Sequence, residues 1–258
     1  MRIYVSVQRI YKLFRMNLRN RYLGSKMGMF WAALQPLTMM LTYIFVFGFI
    51  FQSKVAGSDN SLDYVIWFLC GFAPWMAINE GIMTTTSSVI SGVSLIKNFS
   101  IPAEFLPLAS AMLGIPQMLV GLVVIFILSF FSGLGISWHL IWIIPVIFIM
   151  FLFIMGLGFF LSATAVFKRD MIQIIPTIMQ LIFYFTPIFY GTEQLGRLGQ
   201  ISVINPIFQI CNSFRNILFY HTVPDIPGLI YVTVLAVIMW IVGYRYFCKL
   251  KGYFESAL

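Results

Sequence analysis

The apolar residues of this chain are gathered in long runs that are separated by short polar stretches. The first run, residues 31–51, has 21 residues and carries no charge. Because a helix rises about 1.5 Å per residue, this run extends about 30 Å and matches the hydrocarbon core of a bilayer. Later runs of similar length predict five further transmembrane helices. The six predicted spans are residues 31–51, 64–83, 107–131, 140–167, 172–190 and 228–247.

Two stretches outside these runs also carry a helical pattern. In residues 2–23, apolar side chains recur at steps of three and four, and basic side chains fall on the opposite side. This pattern is typical of an amphipathic helix in the membrane interface, although a cytosolic helix packed on a partner would share it. Residues 191–227 are too long for a turn and too polar for two crossings, so they favour re-entrant or interfacial helices on the outer side.

Composition and charge indicate the class and the orientation of the protein. The chain has 258 residues and is 60% hydrophobic and 9% charged, which is typical of an all-α integral membrane protein. With both termini in the cytoplasm, 13 of the 16 Lys and Arg residues lie on the cytoplasmic side, the exceptions being Lys54, Arg197 and Arg215. This distribution follows the positive-inside rule, so the net charge of +8 reflects membrane orientation rather than nucleic-acid binding.

The residues that drive catalysis or ion-coupled transport are missing from the sequence. Glu80 is the only ionisable residue near a span interior, so no proton relay is evident. No GxxxxGK[ST] phosphate loop is present, both histidines stand alone in outer loops, and the three cysteines lack metal-ligand spacing. The sequence therefore predicts a conduit that has no catalytic, metal or cofactor site and takes its energy from a partner.

Two of the predicted spans carry a stripe of polar and aromatic residues. At 100° per residue, each stripe occupies one side of its helix. Lipid-facing surfaces do not need glutamine, so the stripes are expected to line a substrate channel, with helix–helix packing as the alternative. The first span contributes Trp31, Gln35, Thr38, Thr42, Phe45 and Phe49, and the fifth contributes Gln173, Thr177, Gln180 and Tyr184.

Two cytoplasmic stretches are candidate binding sites. Arg15, Arg19 and Arg21 precede the first span at headgroup level. They are suited to binding a lipid diphosphate through paired hydrogen bonds, or to anchoring the helix on anionic lipids. The connection between the second and third spans places apolar residues beside Lys97 and Glu104, which fits either docking into a partner's groove or a solvated loop.

Six motifs, spaced in order along nearly the whole chain, resemble one protein family. They resemble the permease subunits of ABC exporters of polysaccharides, which include the O-antigen, capsule and teichoic-acid exporters. Lys168 and Thr186 depart from the usual pattern without removing the resemblance. The motifs are Arg19-x-Arg21-Tyr22-x-Gly24-Ser25-x-x-Gly28-x-x-Trp31-x-x-x-x-Pro36, Gly71-x-x-Pro74-Trp75, Lys97-Asn98-Phe99-x-Ile101-Pro102-x-Glu104, Phe167-x-Arg169-Asp170, Thr186-Pro187-Ile188-x-Tyr190, and Asn205-Pro206 with Phe214-Arg215.

The resemblance implies a homodimer of six-span subunits in the inner (cytoplasmic) membrane. Two copies of a separate ATPase, which binds ATP and magnesium, would drive it. Residues 93–104 would form a coupling helix that contacts the ATPase, and residues 191–227 would form outer gate helices. The implied substrate is a lipid-linked glycan of O-antigen type on undecaprenyl diphosphate. The residues expected to couple to the ATPase are Leu95, Lys97, Phe99 and Glu104.

Other functions stay open at this stage, as does the type of glycan. A permease for another amphiphile, such as teichoic acid, a drug or a lipid, would share the architecture. A multi-span transferase acting on lipid-linked sugars needs acidic or His residues at a membrane surface, and only the short turn Arg169-Asp170 offers a candidate. A proton-coupled flippase is disfavoured because buried acids are scarce.

Overall fold

The computed structural model describes residues 2–51, 61–99, 101–135, 137–191 and 202–254. Within these ranges the regular structure is helical, and no strand occurs. Short 3-10 turns precede α2 and α7, and α2 continues as a π-helix over Ile44–Ile50. The α-helices are α1 (Arg2–Arg21), α2 (Trp31–Tyr43), α3 (Ser61–Ser91), α4 (Val93–Phe99), α5 (Phe105–Ala111), α6 (Gly114–Ser132), α7 (Ile143–Phe167), α8 (Met171–Phe185), α9 (Pro206–Leu218) and α10 (Ile226–Lys251).

Five helical stretches in the described part of the chain are long and apolar enough to cross a membrane. They correspond to the first, second, third, fourth and sixth of the runs predicted as spans. The prediction of an all-helical membrane protein is therefore confirmed. The five stretches are Gly28–Ile50, Leu62–Ser91, Phe105–Ser132, Trp138–Phe167 and Ile226–Lys251.

The fifth predicted span, residues 172–190, differs from the structure. Its helix, α8, has 15 residues, and a helix of that length extends about 22 Å, which is less than a bilayer core of about 30 Å. The helix ends at Phe185 because Pro187 disfavours helical backbone at the preceding residue. Thr186 is accordingly extended, with φ −87° and ψ 126°. Residues 186–190 continue without regular structure, so this run is not one continuous spanning helix.

The central helix is α3, which is buried along most of its length and packs against α5, α6, α7, α8 and α9. It continues to Ser91, whereas the sequence predicts a span ending at residue 83 and a polar connection after it. The hydroxyls of Thr84, Thr86 and Ser88 each donate to a backbone carbonyl one turn earlier in α3, at 2.7 Å. Because the helix satisfies these hydroxyls, the polar residues extend α3 instead of ending it.

Two glycines allow α7 and α10 to touch. A Cβ atom built on Gly243 would lie 2.1 Å from the carbonyl oxygen of Gly156. One built on Gly156 would lie 2.5 Å from the backbone nitrogen of Trp240. Small residues bring apolar helices together in membranes because close van der Waals packing replaces the missing hydrophobic driving force.

A second, smaller hydrophobic core lies next to α4. Ile96 of α4 packs against buried residues that include Val89, Phe247 and Phe254. Close by, Lys251 Nζ lies 2.7 Å from Glu104 Oε2. The connection between α4 and α5 is therefore tied to the last turn of α10.

The N-terminal helix α1 packs along α5. Leu13 is buried on the packed side, whereas Arg9, Lys12, Arg15 and Arg19 are exposed. The basic side of the helix is thus exposed, as the sequence pattern predicts, and Leu13 contacts the chain itself, whereas Val7 on the apolar side is exposed.

Candidate functional site

Two open cavities flank the C-terminal half of α1, and Met16 and Asn20 line both of them. The polar cavity has a volume of about 830 Å³ and lies between α1, α3, α4, α5 and the beginning of α8. The basic pocket has a volume of about 1020 Å³ and lies between α1 and the turn that leads to α2. The two cavities are therefore neighbours separated by α1.

The wall of the polar cavity combines neutral hydrogen-bonding side chains with apolar ones such as Leu95 and Leu106. Among the described residues that line it, Arg21 and Glu80 are the only charged ones, and they form an ion pair. This surface suits a ligand rich in hydroxyl groups, because amides and hydroxyls both donate and accept hydrogen bonds. The neutral polar lining residues include Asn17, Asn20, Thr84, Ser87, Ser91 and Ser94.

The ion pair joins three helices at one carboxylate. Arg21 Nη1 contacts Glu80 Oε1, and Arg21 Nη2 lies 3.5 Å from Glu80 Oε2. Gln117 Nε2 from α6 also donates to Glu80 Oε2, at 3.0 Å. The Glu80 side chain is only 12% exposed, so its charge needs these partners. Glu80, whose role the sequence does not reveal, therefore connects α1, α3 and α6.

The basic pocket collects positive charge without a compensating acid among its described lining residues. Lys12, Arg15 and Arg19 line it, together with the turn at residues 22–25. None of these three cations forms an ion pair with a described carboxylate. Gly24 adopts a left-handed backbone, with φ +85°, which favours glycine at this turn. The pocket is therefore suited to an anion.

The structure separates the three arginines that the sequence groups as a lipid-diphosphate entrance. Arg15 and Arg19 lie together in the basic pocket, and Arg21 faces the polar cavity. Sequence reasoning missed Lys12 as a member of the pocket. A helical spacing of three and then four residues places Lys12, Arg15 and Arg19 on one side of α1, and this signal was available from the sequence.

The two predicted channel stripes both face away from the helices of their own chain. All six stripe residues of α2 and its π-helical continuation are exposed, whereas Pro36 and Met40 on the other side are buried. The hydroxyls of Thr38 and Thr42 donate to carbonyls of the same helix, both at 2.8 Å. The exposed stripe residues of this first span are Trp31, Gln35, Thr38, Thr42, Phe45 and Phe49.

On α8 the buried side consists of Ile175, Met179 and Phe183, and the predicted stripe lies opposite. The two stripe-bearing helices approach each other through Phe189, whose ring centroid lies 5.8 Å from that of Tyr43 and 6.3 Å from that of Tyr184. The stripes are therefore exposed, and within the described chain Tyr184 makes ring contacts with Phe183 and Phe189. The exposed stripe residues of α8 are Gln173, Thr177, Gln180 and Tyr184.

The four residues predicted to couple to an ATPase fall into two groups. Lys97 and Phe99 are exposed at the end of α4, and Phe99 has 70% of its surface accessible. Leu95 lines the polar cavity, and Glu104 is engaged by Lys251. The helix itself covers only Val93–Phe99 of the predicted 93–104 segment.

A cluster of backbone carbonyls and one aromatic ring surrounds Arg215 of α9, which belongs to the last of the six sequence motifs. This side chain is 2% exposed, and its guanidinium lies 3.6 Å from the centre of the Trp67 ring. It donates to the carbonyls of Pro187 at 2.8 Å, Ile188 at 2.7 Å and Trp67 at 3.3 Å. Burial lowers the pKa of Arg215 to about 10, so it stays charged at neutral pH.

The described residues contain no group of three His, Cys, Asp or Glu side chains that could hold a metal ion. The candidate sites are therefore the two cavities and the exposed stripes. In the outer region predicted as gate helices, α9 is described and residues 192–201 lie outside the described residues.

Comparison with known proteins places these features in one family. The ABC-2 type transporter family matches residues 8–219. The O-antigen export system permease protein RfbA of Klebsiella pneumoniae is 26% identical over 245 residues, which is 94% of this chain and 92% of the relative. The protein of the same name from Myxococcus xanthus is 24% identical over 248 residues, or 95% and 93% of the two chains. The chain therefore belongs to the ABC-2 type transporter family of membrane-spanning permeases.

Proposed function

We propose that this chain is the channel subunit of an ATP-driven exporter that moves a lipid-linked polysaccharide across the inner membrane. The substrate class is an O-antigen-type glycan on undecaprenyl diphosphate. Relatives named O-antigen export permeases, which align over nearly the whole chain, support this class. The observation that carries the proposal is the basic pocket beside a cavity of neutral hydrogen-bonding groups.

A diphosphate-linked sugar needs both of these surfaces. Lys12, Arg15 and Arg19 supply the positive charge for the diphosphate, and Arg can bind two phosphate oxygens at once. The serine, threonine and asparagine side chains of the polar cavity offer neutral partners for sugar hydroxyls. The polyprenyl chain would stay in the bilayer beside α2.

The exporter would be a homodimer with two copies of a separate ATPase that binds ATP and magnesium. The exposed stripes of α2 and α8 would then line the path, with aromatic rings for the C–H faces of the sugars and amides for their hydroxyls. The exposed end of α4, with Lys97 and Phe99, would contact the ATPase. Both features support the proposal because neither is covered by the chain itself.

The proposed topology has six crossings and both termini in the cytoplasm. The fifth crossing would consist of the short helix α8 and the non-helical residues 186–190. In a background with the exposed Cys248 replaced by Ser, an impermeant thiol reagent should label Tyr220→Cys from outside and should not label Lys168→Cys. The reverse labelling would overturn the orientation.

The function is tested with the complex of this chain and its ATPase in nanodiscs. Undecaprenyl-diphosphate-linked glycan should stimulate ATP hydrolysis, and Arg19→Lys should reduce this stimulation because lysine cannot make the paired contact. The matched control is Arg9→Lys, which changes an exposed arginine of α1 outside the basic pocket. Equal stimulation in the wild type, Arg19→Lys and Arg9→Lys complexes would favour mere anchoring on anionic lipids. Absence of any stimulation would reject the substrate.

A further inference from the structure

We propose that Glu80 holds Arg21 in the place of a phosphate, and that a substrate diphosphate competes with Glu80 for Arg21. In this account Glu80 is a specificity-determining residue, because it sets how strongly an anion must bind to take the arginine. The inference rests on the proposed function for the identity of the diphosphate. Its structural basis is the ion pair on the wall of the polar cavity, at the end of α1.

Arg21 lines the polar cavity and is adjacent in sequence to residues of the basic pocket. It is the last residue of α1, and its neighbours Asn20 and Tyr22 both line the basic pocket. Arg21 itself lines the polar cavity, as does Asn20. At the end of the helix, a rotation of the Arg21 side chain would move its guanidinium group from Glu80 toward the pocket that holds Arg15 and Arg19.

The chemistry of the pair matches that of a phosphate contact. Both Nη atoms of Arg21 face the two oxygens of the Glu80 carboxylate. Phosphate presents the same arrangement of paired acceptor oxygens to a guanidinium group. The Arg21 side chain is 33% exposed, so an anion can reach it without prior unfolding of the site.

The partners of Glu80 determine how much free energy is lost when a diphosphate replaces Glu80 as the partner of Arg21. Gln117 Nε2, 3.0 Å from Glu80 Oε2, still donates to the carboxylate after Arg21 leaves. The carboxylate nevertheless loses its only cationic partner among the described residues, and a largely buried charge without a counter-charge is unfavourable. A ligand must therefore bring enough charge to offset this loss.

This cost would discriminate between classes of anionic lipid. A diphosphate carries more charge than a lipid monophosphate and offers more acceptor oxygens, so it competes better with the carboxylate. Ordinary anionic phospholipids, which are abundant beside α1, would then leave Arg21 with Glu80. Release of Arg21 also removes the ion pair between α1 and α3 at the mouth of the polar cavity, where the first sugars would bind.

The test measures the affinity of the nanodisc-embedded complex for geranylgeranyl diphosphate and geranylgeranyl monophosphate. Glu80→Gln keeps the shape of the side chain and removes its charge. We expect it to bind the diphosphate about fivefold more tightly, the size expected for loss of one partly exposed ion pair, and to discriminate less against the monophosphate. In the Arg21→Gln background, Glu80→Gln should have no effect. Asp225→Asn, which removes the charge of an exposed carboxylate that lines neither cavity, is the matched control and should leave both affinities unchanged.

Each outcome bears on a different claim. A folded Glu80→Gln complex with unchanged or weaker diphosphate binding overturns the inference and leaves the pair with a structural role. If Glu80→Gln does not fold, the diphosphate affinity of Arg21→Lys is the test, because lysine keeps the positive charge but cannot bind two phosphate oxygens at once. Unchanged affinity in Arg21→Lys would mean that Arg21 never reaches the diphosphate. Failure of Arg15→Gln and Arg19→Gln to weaken binding would instead reject the basic pocket and, with it, the proposed function.

Discussion

Arg21 and Arg215 are both drawn into the helical body of this protein, but they are held in different ways. Arg21 meets one carboxylate at the edge of an open cavity and keeps a third of its side chain exposed. Arg215 is almost fully buried and is held by three backbone carbonyls and the face of Trp67. The first arrangement can be exchanged for a ligand anion, whereas the second has no single counter-ion to replace.

The difference follows from where the two arginines lie along the chain. α8 ends at Phe185, so the carbonyls of Pro187 and Ile188 have no helical N–H to accept from. Arg215 supplies those donors and connects the non-helical residues 186–190 to α3 and α9. Buried carbonyls without partners are costly, so Arg215 stabilises a short helix that could not otherwise end inside the protein. One arginine is suited to binding and the other to holding the fold.

The largest effect is expected for Arg215→Met. The substitution leaves the non-helical carbonyls of Pro187 and Ile188 without their donor, and we expect a loss of about 3 kcal/mol in the free energy of unfolding. Arg215→Lys should lose less, because one ammonium group reaches some but not all of the carbonyls. Denaturant unfolding in detergent measures both. Arg21→Met, the matched change at the other arginine, should lose less, about 1–2 kcal/mol, because Arg21 is partly exposed and Gln117 still donates to Glu80. Equal losses at the two arginines would contradict the comparison.

A smaller loss is expected for Gly71→Ala, which tests how rigidly Arg215 is held. A Cβ atom on Gly71 would lie 2.9 Å from Arg215 Nη2 and 3.1 Å from Nε. Because three carbonyls fix the guanidinium, it cannot move aside cheaply, and overpacking of this kind costs about 1–3 kcal/mol. Gly252→Ala, where no atom lies within 4 Å of the new Cβ, is the control and should be nearly neutral. A neutral Gly71→Ala would show that Arg215 is free to shift.

The smallest effect is expected for Lys251→Met. Its ion pair with Glu104 is partly exposed, at 40% and 23% of the two side chains, and such pairs contribute about 0.5 kcal/mol. Stability in detergent should change little. If Lys251→Met lowers the free energy of unfolding as much as Arg215→Met does, side-chain exposure does not determine how much a cation contributes to the stability of this chain.

Hydropathy predicts the long helices of this fold, because each apolar run is long enough to span a bilayer by itself. It fails where hydrogen bonds and proline, rather than hydropathy, decide the end of a helix. α3 runs on to Ser91 because its hydroxyls bond to its own carbonyls, and α8 stops early at Pro187. The carbonyls after the end of α8 receive their hydrogen bonds from Arg215, which lies 28 residues after Pro187, so no local pattern reveals these donors.

Local sequence pattern likewise predicted only part of the candidate site. The basic side of α1 is visible from helical spacing, and the structure places Arg15 and Arg19 together there. The partner of Arg21 was not visible, because Glu80 lies 59 residues away and the pairing depends on how α1 packs. The stripes of α2 and α8 are exposed, and their role as a channel wall remains a prediction.

We expect an anionic lipid head to bind at the basic pocket beside α1 without any structural change around Arg215. Hydrogen exchange of the nanodisc-embedded complex, followed by mass spectrometry with and without geranylgeranyl diphosphate, tests it most directly. The account predicts slower exchange in peptides from the end of α1 and the turn before α2, and no change in α9. Protection confined to α9, with unchanged exchange at the end of α1, would contradict it.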